Sequence, residues 1–93
     1  MPITLSTIVR RQPGADDSTL NGELVVLDAD GRMVRALNGT AARVWQLLDG
    51  QRSIADICNV LAAEFDAQAA AIEADVLSFL NDLCRKQLAV GGF

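Results

Sequence analysis

The stretch Leu37-Asn38-Gly39-Thr40-Ala41-Ala42-Arg43-Val44-Trp45 is where the sequence changes from a strand pattern to a helix pattern. Before it, apolar and polar residues alternate with the period of two that is typical of half-buried strands. After Asn38, which is a favourable N-cap, apolar residues recur at the spacing of one helical face. These residues are Ala41, Val44, Trp45 and Leu48. The sequence therefore predicts strands in its N-terminal part and helices in the remainder.

Three segments of the N-terminal part have a strand pattern: Met1–Arg11, Glu23–Asp28 and Arg32–Leu37. Asp30-Gly31 lies between the last two and is a strong hairpin signal, because tight hairpin turns need residues that accept a positive φ. Residues 14–21 are rich in turn-forming side chains and are predicted as a flexible loop. We expect a three-stranded antiparallel sheet in the order 1-2-3, whose third strand lies at an edge and contains no proline and no bulge.

Three helices are predicted after the strands. The first ends at Asp49-Gly50, where glycine suits the position after a helix. The second begins at Ser53, which forms a capping-box pattern with Asp56. The third spans Ala67–Lys86, and residues 91–93 are expected to form a frayed tail. The chain is thus expected to be a single α+β domain over residues 1–93, with a winged-helix-like order of three strands followed by three helices.

The composition excludes most catalytic chemistry. The 93 residues include no His and no Tyr, and Lys86 is the only lysine. Catalysis that depends on imidazole and the usual zinc sites are therefore excluded. No glycine-rich phosphate-binding motif occurs. Cys58 and Cys84 form no CxxC pair and are interpreted as buried, reduced thiols of a cytoplasmic protein, with a disulfide between them as the alternative. We expect no metal, no cofactor and no enzymatic activity.

Charge and hydropathy restrict the partners of this chain. Its formal net charge is −4, whereas nucleic-acid binding usually needs a basic surface. The longest uncharged run, Met1–Val9, is far shorter than the roughly 20 residues of a membrane-spanning helix. No basic segment precedes an apolar one as in a signal peptide. We therefore expect neither a nucleic acid nor a membrane as a partner.

The edge strand is one half of a candidate binding surface. Such a strand has unpaired N–H and C=O groups and can pair with an added peptide strand. Alternate side chains of the strand would then select the peptide, and Arg35 would pair with a peptide carboxylate. The strand residues of the candidate site are Arg32, Met33, Val34, Arg35 and Ala36. The alternative interpretation is that the two arginines only protect the edge from self-association.

The third helix is the other half of the candidate surface. Its apolar face is about 160° wide at 100° per residue, more than one packing surface requires. Leu77 and Cys84 extend this face beyond the core stripe and are predicted to line a groove beside the edge strand. Phe79 is predicted to be an apolar anchor in the same groove, with Met33, Val34 and Leu77. The alternative is that the sheet simply buries the whole face.

Several segments resemble the PqqD family, which is named for a protein of pyrroloquinoline-quinone biosynthesis. They read GELVVLD at residues 22–28, LNGTAARVW at 37–45 and LDGQRSIADI at 48–57, followed by Glu73-Ala74-Asp75-Val76. The combination of an LN-x-TA turn with DG-x-x-S/T-x-x-x-I at this spacing is fairly specific. The resemblance covers about residues 22–90. Leu48 stands where members of the quinone pathway tend to have Cys, and the first two segments are closer to the stand-alone members, which include lasso-peptide recognition proteins.

The resemblance implies a peptide-recognition element without catalytic activity. Domains of this kind bind the leader segment of a ribosomally made precursor peptide, which adds a strand at the third β-strand and packs on the third helix. They present the peptide to a radical-SAM enzyme, a cyclase or a leader protease, and some form homodimers. Mapped onto this sequence, the groove would lie between Arg32–Leu37 and the Leu77/Cys84 side of the third helix.

Two other functions are compatible with the predicted elements. A winged-helix DNA-binding protein would have the same order of strands and helices, but it would need a basic face, which the acidic third helix does not provide. A structural dimerisation module would use the same edge strand to pair with a second copy. A salt-dependent affinity for DNA or an obligate dimer would distinguish these alternatives from peptide binding.

Overall fold

The computed structural model describes residues 3–37 and 39–91 of the chain. In this part the protein is an α+β structure with two three-stranded antiparallel sheets and three α-helices. The elements in chain order are β1 (Ile8–Arg11), β2 (Asp16–Leu20), β3 (Glu23–Leu27), β4 (Met33–Leu37), α1 (Gly39–Gln46), β5 (Asp49–Ser53), α2 (Ile54–Glu64), α3 (Ala69–Arg85) and β6 (Ala89–Gly91).

The first sheet joins segments that are far apart in the sequence. Its strand order is β5-β1-β6, with β1 in the centre. Ile8 lies opposite Ser53 on one side, and Val9 lies opposite Gly91 on the other. Val9 is fully buried in the core that the helices complete. The first strand therefore connects the beginning of the chain to the end of the helical part.

The second sheet is a meander of consecutive strands in the order β2-β3-β4. Ser18 pairs with Val25, and Val25 pairs with Ala36 on its other side. The β3–β4 turn is closed by Asp28, whose carboxylate accepts hydrogen bonds from the backbone N–H groups of Asp30 and Arg32. This hairpin at Asp30-Gly31 and the edge position of β4 were both predicted.

The predicted order of the strands is wrong for the first of them. The strand Ile8–Arg11 does not pair with β3 but lies in the other sheet, and β2 takes its place in the meander. Residues 14–21, predicted as a flexible loop, contain β2, because pairing with β3 stabilises a strand that has no apolar alternation of its own. Since the sheet is split in two, the single sheet of the winged-helix-like prediction is not observed.

Two chain segments after the meander also differ from their predictions. Helix α1 ends at Gln46, and Asp49-Gly50 begins β5 rather than acting only as a turn. The frayed tail was predicted to start at residue 91, but Gly91 pairs with Val9 in β6. Residues 92 and 93 and the predicted N-cap Asn38 lie outside the described residues.

The predicted beginning of the second helix is confirmed in detail. The Ser53 hydroxyl accepts a hydrogen bond from the Asp56 N–H at 3.1 Å, and the Asp56 carboxylate accepts one from the Ser53 N–H at 3.2 Å. This reciprocal capping box satisfies two backbone donors that a helix start leaves without partners. Helix α3, at Ala69–Arg85, lies within the predicted bounds.

The helices and both sheets share one apolar core. Trp45 is fully buried in it, as expected for a residue of the apolar face predicted for the first helix. Cys58 is buried, Cys84 is half-buried, and both thiols are free. Burial raises the pKa of both thiols, which keeps them protonated and weakly nucleophilic. No helix in the described ranges has the length and apolar character needed to cross a membrane.

Candidate functional site

The outer edge of β4 is the first component of the site. Within the described residues, β4 pairs with β3 on one side and with no strand on the other. Its outward N–H and C=O groups are therefore available to a further strand. Met33, at the start of β4, has 62% of its surface exposed. A strand added at this edge would pass next to this apolar side chain.

A register shift interrupts the pairing of β3 with β4. Leu27 lies opposite Met33, whereas Val26 lies opposite Arg35, so Val34 is the extra residue on the β4 side. The sequence prediction of an edge without a bulge is therefore wrong. Val34 packs partly against the core. Arg35 lies on the same face of β4 as buried Leu37, because side chains two residues apart in a strand point to the same side.

An apolar groove of about 380 Å³ lies between β4, α1 and α3. Its floor contains Val44 and Val76, both of which are almost fully buried. Arg35 and Phe79 form part of its rim. The lining residues are Arg35, Thr40, Ala41, Val44, Ile72, Asp75, Val76 and Phe79. The structure thus places an apolar depression directly beside the open strand edge.

Arg35 connects the strand to the helix across this groove. Its guanidinium donates a hydrogen bond to the Asp82 carboxylate on α3. The guanidinium carbon also lies 5.2 Å from the centroid of the Phe79 ring, within the range of a cation–π contact. Arg35 was predicted either to protect the strand edge or to pair with a carboxylate of the peptide. In the structure it pairs instead with Asp82, a carboxylate of the chain itself.

Two further cations reach the same carboxylate. Arg85 Nη2 lies 3.1 Å from Asp82 Oδ1, and Lys86 Nζ lies 3.3 Å from Asp82 Oδ2. Partial burial acts to raise the pKa of Asp82, but the hydrogen bonds and charges of Lys86, Arg35 and Arg85 outweigh it and hold the pKa below its usual range. These groups surround a polar depression of about 520 Å³ that adjoins the apolar groove through Phe79. Asp82 is therefore ionised at neutral pH.

The structure divides the predicted helix residues between two sides of α3. Phe79 faces β4, as its contact with Arg35 demonstrates. Cys84 lines a different depression, next to Ile3 and Gly91. Asp82 and Cys84 are two residues apart, which is about 160° around a helix. The prediction that Cys84 lies beside β4 is therefore wrong, and Leu77 lies on the Cys84 side and packs partly against the core. Whether either residue contacts a peptide stays a prediction.

The sequence reasoning missed the polar stripe of α3. Asp75, Asp82 and Lys86 recur with Phe79 at intervals of three and four residues, so they share the helical side that faces β4. The signal was present in this spacing, but charged residues at a helix surface are usually solvated, so the spacing alone does not predict a binding site. Arg32, also predicted for the site, pairs instead with Asp30 in the exposed turn.

A separate set of contacts attaches β2 to the core. The Trp45 indole N–H donates a hydrogen bond to Asp17 Oδ2 at 2.8 Å. The Arg11 side chain lies over the indole ring and donates to the Trp45 carbonyl at 3.0 Å. These contacts explain why an otherwise polar strand is ordered. They also assign Trp45 and Asp17 to structure rather than to a ligand site.

The described residues contain no group of three or more acidic, Cys or His side chains that would hold a metal ion. The site therefore consists of an open strand edge, an apolar groove and a cluster of charges. Such an arrangement binds a chain segment through backbone hydrogen bonds and side-chain burial.

Known proteins share this architecture. One is the PqqD truncation of Methylobacterium extorquens PqqCD, whose solution structure is described as a ribosomally synthesized and post-translational modified (RiPP) recognition element. It is 27% identical to this chain and superposes with a TM-score of 0.80, covering 95% of this chain and 94% of that one. Lasso peptide synthetase B1 complexed with the leader peptide is 29% identical with a TM-score of 0.74, covering 89% and 98%. The α+β fold of two small sheets and three helices is therefore that of a known recognition element.

Sequence relatives lead to the same group. A PqqA binding protein of Xanthomonas euvesicatoria pv. vesicatoria (strain 85-10) is 51% identical over 63 residues, which make up 68% of this chain and 67% of that protein. A PqqA binding protein of Xanthomonas campestris pv. campestris (strain 8004) is 46% identical over the same length. Residues 23–89 match the family described as coenzyme PQQ synthesis protein D. The chain belongs to the PqqD family.

Proposed function

We propose that this chain binds the leader segment of a ribosomally made precursor peptide and presents it to a modifying enzyme or leader protease. The observation that carries the proposal is the open edge of β4 directly beside the apolar groove of α3. The names of the relatives support it, since they are PqqA binding proteins. A structural neighbour in complex with a leader peptide supports the same function.

The mechanism is strand addition coupled to side-chain burial. A flexible leader loses conformational entropy when it binds, and backbone hydrogen bonds to β4 together with apolar burial offset that loss. A micromolar affinity corresponds to about 8 kcal/mol. Each apolar leader side chain that is buried in the groove contributes roughly 1.5–3 kcal/mol. Two or three such side chains packed between Phe79 and Ile72 would supply about 3–9 kcal/mol, and the backbone hydrogen bonds to β4 would supply the remainder.

The proposed site consists of the β4 backbone at Met33–Leu37, the Arg35 side chain and the groove wall at Phe79. Leu77, predicted for the groove, packs partly against the core on the other side of α3, so we leave it out of the proposed site. We assign no catalytic step to this chain, since its sequence contains no His that could act as a base beside a hydroxyl nucleophile. The chemistry would belong to a partner such as a radical-SAM enzyme or a cyclase. The free thiols fit a reducing compartment such as the cytoplasm.

Calorimetric titration tests the proposal. The purified chain is titrated with the synthetic PqqA peptide of a Xanthomonas relative, with the leader of any short peptide encoded beside its own gene, and with scrambled versions of both. We expect saturable binding of at least one native sequence and none of its scrambled control. Absence of saturation by both peptides up to roughly 300 µM, where the binding free energy would be only about 5 kcal/mol, would overturn the proposal.

Self-association is the competing use of the same strand edge. A second copy would pair its own β4 with this one and leave no edge for a peptide. Sedimentation of the chain with and without peptide distinguishes the two occupants. A monomer that binds one peptide supports the proposal, whereas a dimer that does not dissociate or bind peptide contradicts it.

A further inference from the structure

One carboxylate forms ion pairs with three cations in the polar depression that adjoins the groove. Asp82 receives Arg35 from β4 and both Arg85 and Lys86 from the end of α3. We call these three side chains the cationic cluster. With Asp75, which also lines this depression, the local formal charge is three positive and two negative, or +1. The whole chain has a formal charge of −4, so this depression is positive on an otherwise acidic protein.

Helix capping explains only part of the cationic cluster. Lys and Arg are favourable at a helix C-terminus because of the helix dipole, which accounts for Arg85 and Lys86. The helix dipole does not account for Arg35, which belongs to strand β4. Ion pairs at exposed surfaces add little to stability, so fold stability is a weak reason to bring a third cation to Asp82.

The cluster keeps unused donors that face solvent. A guanidinium has five N–H groups, and Asp82 accepts only one from Arg35 and one from Arg85 in this arrangement. The Arg85 side chain has 78% of its surface exposed, and that of Lys86 has 44%. An incoming carboxylate can therefore be bound without displacing Asp82.

We propose that the cationic cluster binds an Asp or Glu side chain of the peptide that occupies the groove. The ligand class is then a leader with an acidic residue next to the apolar residue that packs on Phe79, since Phe79 borders both depressions. This inference rests on the proposed function. The bidentate geometry of arginine with carboxylates would fix the register of the added strand, which backbone hydrogen bonds alone do not specify. Basic residues at the same peptide position would be rejected.

A carboxylate scan of the peptide tests this inference. Each Asp and Glu of the parent peptide that binds in the calorimetric titration is replaced singly by Asn or Gln, and its C-terminal carboxylate is amidated. Binding of every peptide is measured with the native chain, with Arg85→Gln and with Arg52→Gln. Arg52 is the matched control because it also pairs with an Asp three residues before it but lies in β5, outside both depressions.

We expect one substitution in the peptide to weaken its binding to the native chain and to Arg52→Gln by about tenfold. The same substitution should weaken binding to Arg85→Gln by no more than about threefold, because this variant has already lost one of the cations that would bind the peptide carboxylate. The inference is overturned if all amide variants bind the native chain as the parent does, or if the loss is the same in Arg85→Gln. If no parent peptide binds at all, the proposed function itself is overturned.

Discussion

Arg35 in β4 and Asp82 in α3, 47 residues apart in sequence, form an ion pair that connects the open strand edge to the helix beside it. The Arg35 guanidinium lies over the Phe79 ring, and both residues border an apolar groove and a positively charged depression. A peptide strand added to β4 would therefore have an apolar and a charged binding region side by side. This relationship leads to the first prediction.

Replacement of Arg35 should reduce peptide affinity more than it reduces stability. The side chains of Arg35 and Asp82 retain 36% and 22% exposure, so the pair is solvent-screened. We expect Arg35→Gln to change the free energy of unfolding by less than about 1 kcal/mol and to weaken peptide binding by roughly tenfold. Urea unfolding followed by Trp45 fluorescence and calorimetric titration measure the two effects. A variant that unfolds but binds normally in its folded fraction would contradict this role.

Phe79 and Leu77 form a matched pair for the location of the groove. Both are partly buried side chains of α3, but Phe79 lines the groove and Leu77 lies on the other side of the helix. We expect Phe79→Ala to weaken binding by at least about tenfold, which corresponds to the loss of roughly 1.5 kcal/mol of apolar contact. Leu77→Ala should lower the free energy of unfolding about as much as Phe79→Ala does, but it should leave the peptide affinity of the folded protein unchanged.

Loss of peptide binding in Leu77→Ala rather than in Phe79→Ala would place the peptide site on the other side of α3. If Leu77→Ala abolished binding in protein that remains folded by circular dichroism, the peptide would occupy the side of α3 that carries Cys84. Titration at several protein concentrations separates loss of affinity from loss of folded protein.

Local signals in the sequence predicted the parts of the fold that depend on neighbouring residues. The Asp30-Gly31 hairpin and the Ser53–Asp56 capping box are set by side chains within four positions of each other. The apolar stripe of α3 likewise depends only on helical spacing. The edge position of β4 could also be predicted, because it follows directly from the hairpin.

Contacts between distant residues could not be predicted in this way. The partners of β1 are Asp49–Ser53 and Ala89–Gly91, and no local pattern in Ile8–Arg11 distinguishes them from the nearer β3. The side of α3 that faces β4 is likewise set by tertiary packing. An apolar face wider than one packing surface allowed two orientations, and the Arg35–Asp82 contact is what distinguishes them.

The bond between Trp45 and Asp17 should stabilise β2 without affecting the site. Loss of the acceptor leaves a largely buried indole N–H without its partner, which costs about 1–3 kcal/mol. We expect Asp17→Ala to lower the free energy of unfolding by this amount, with peptide affinity unchanged. Asp16→Ala, which removes the same charge from the exposed neighbouring position, should have a much smaller effect in the same urea titration. Equal effects of the two variants would show that charge, rather than the indole bond, is responsible.

The stability of the protein should fall in acid. The backbone hydrogen bonds of Asp49 and the Arg43 hydrogen bonds of Glu64 lower the pKa values of these carboxyl groups. A carboxyl group whose pKa is lower in the folded state stabilises the fold above its unfolded pKa of roughly 4, and this contribution disappears as pH falls through the folded pKa. Urea unfolding between pH 7 and pH 2, roughly the range over which carboxyl groups titrate, should show this loss. Glu64→Gln should make the acid decline shallower, and an unchanged slope would contradict the assigned cause.

The most direct test of peptide binding at the β4 edge is an amide NMR titration of the labelled chain with the unlabelled precursor peptide. We expect saturable shifts in Met33–Leu37 and along the Phe79 side of α3, with the outward amides of β4 protected from hydrogen exchange after binding. The exposed strand β2 at the opposite edge of the same sheet should not change, and it serves as the internal control. Shifts confined to β2 or to the depression around Cys84, with β4 unaffected, would contradict the account.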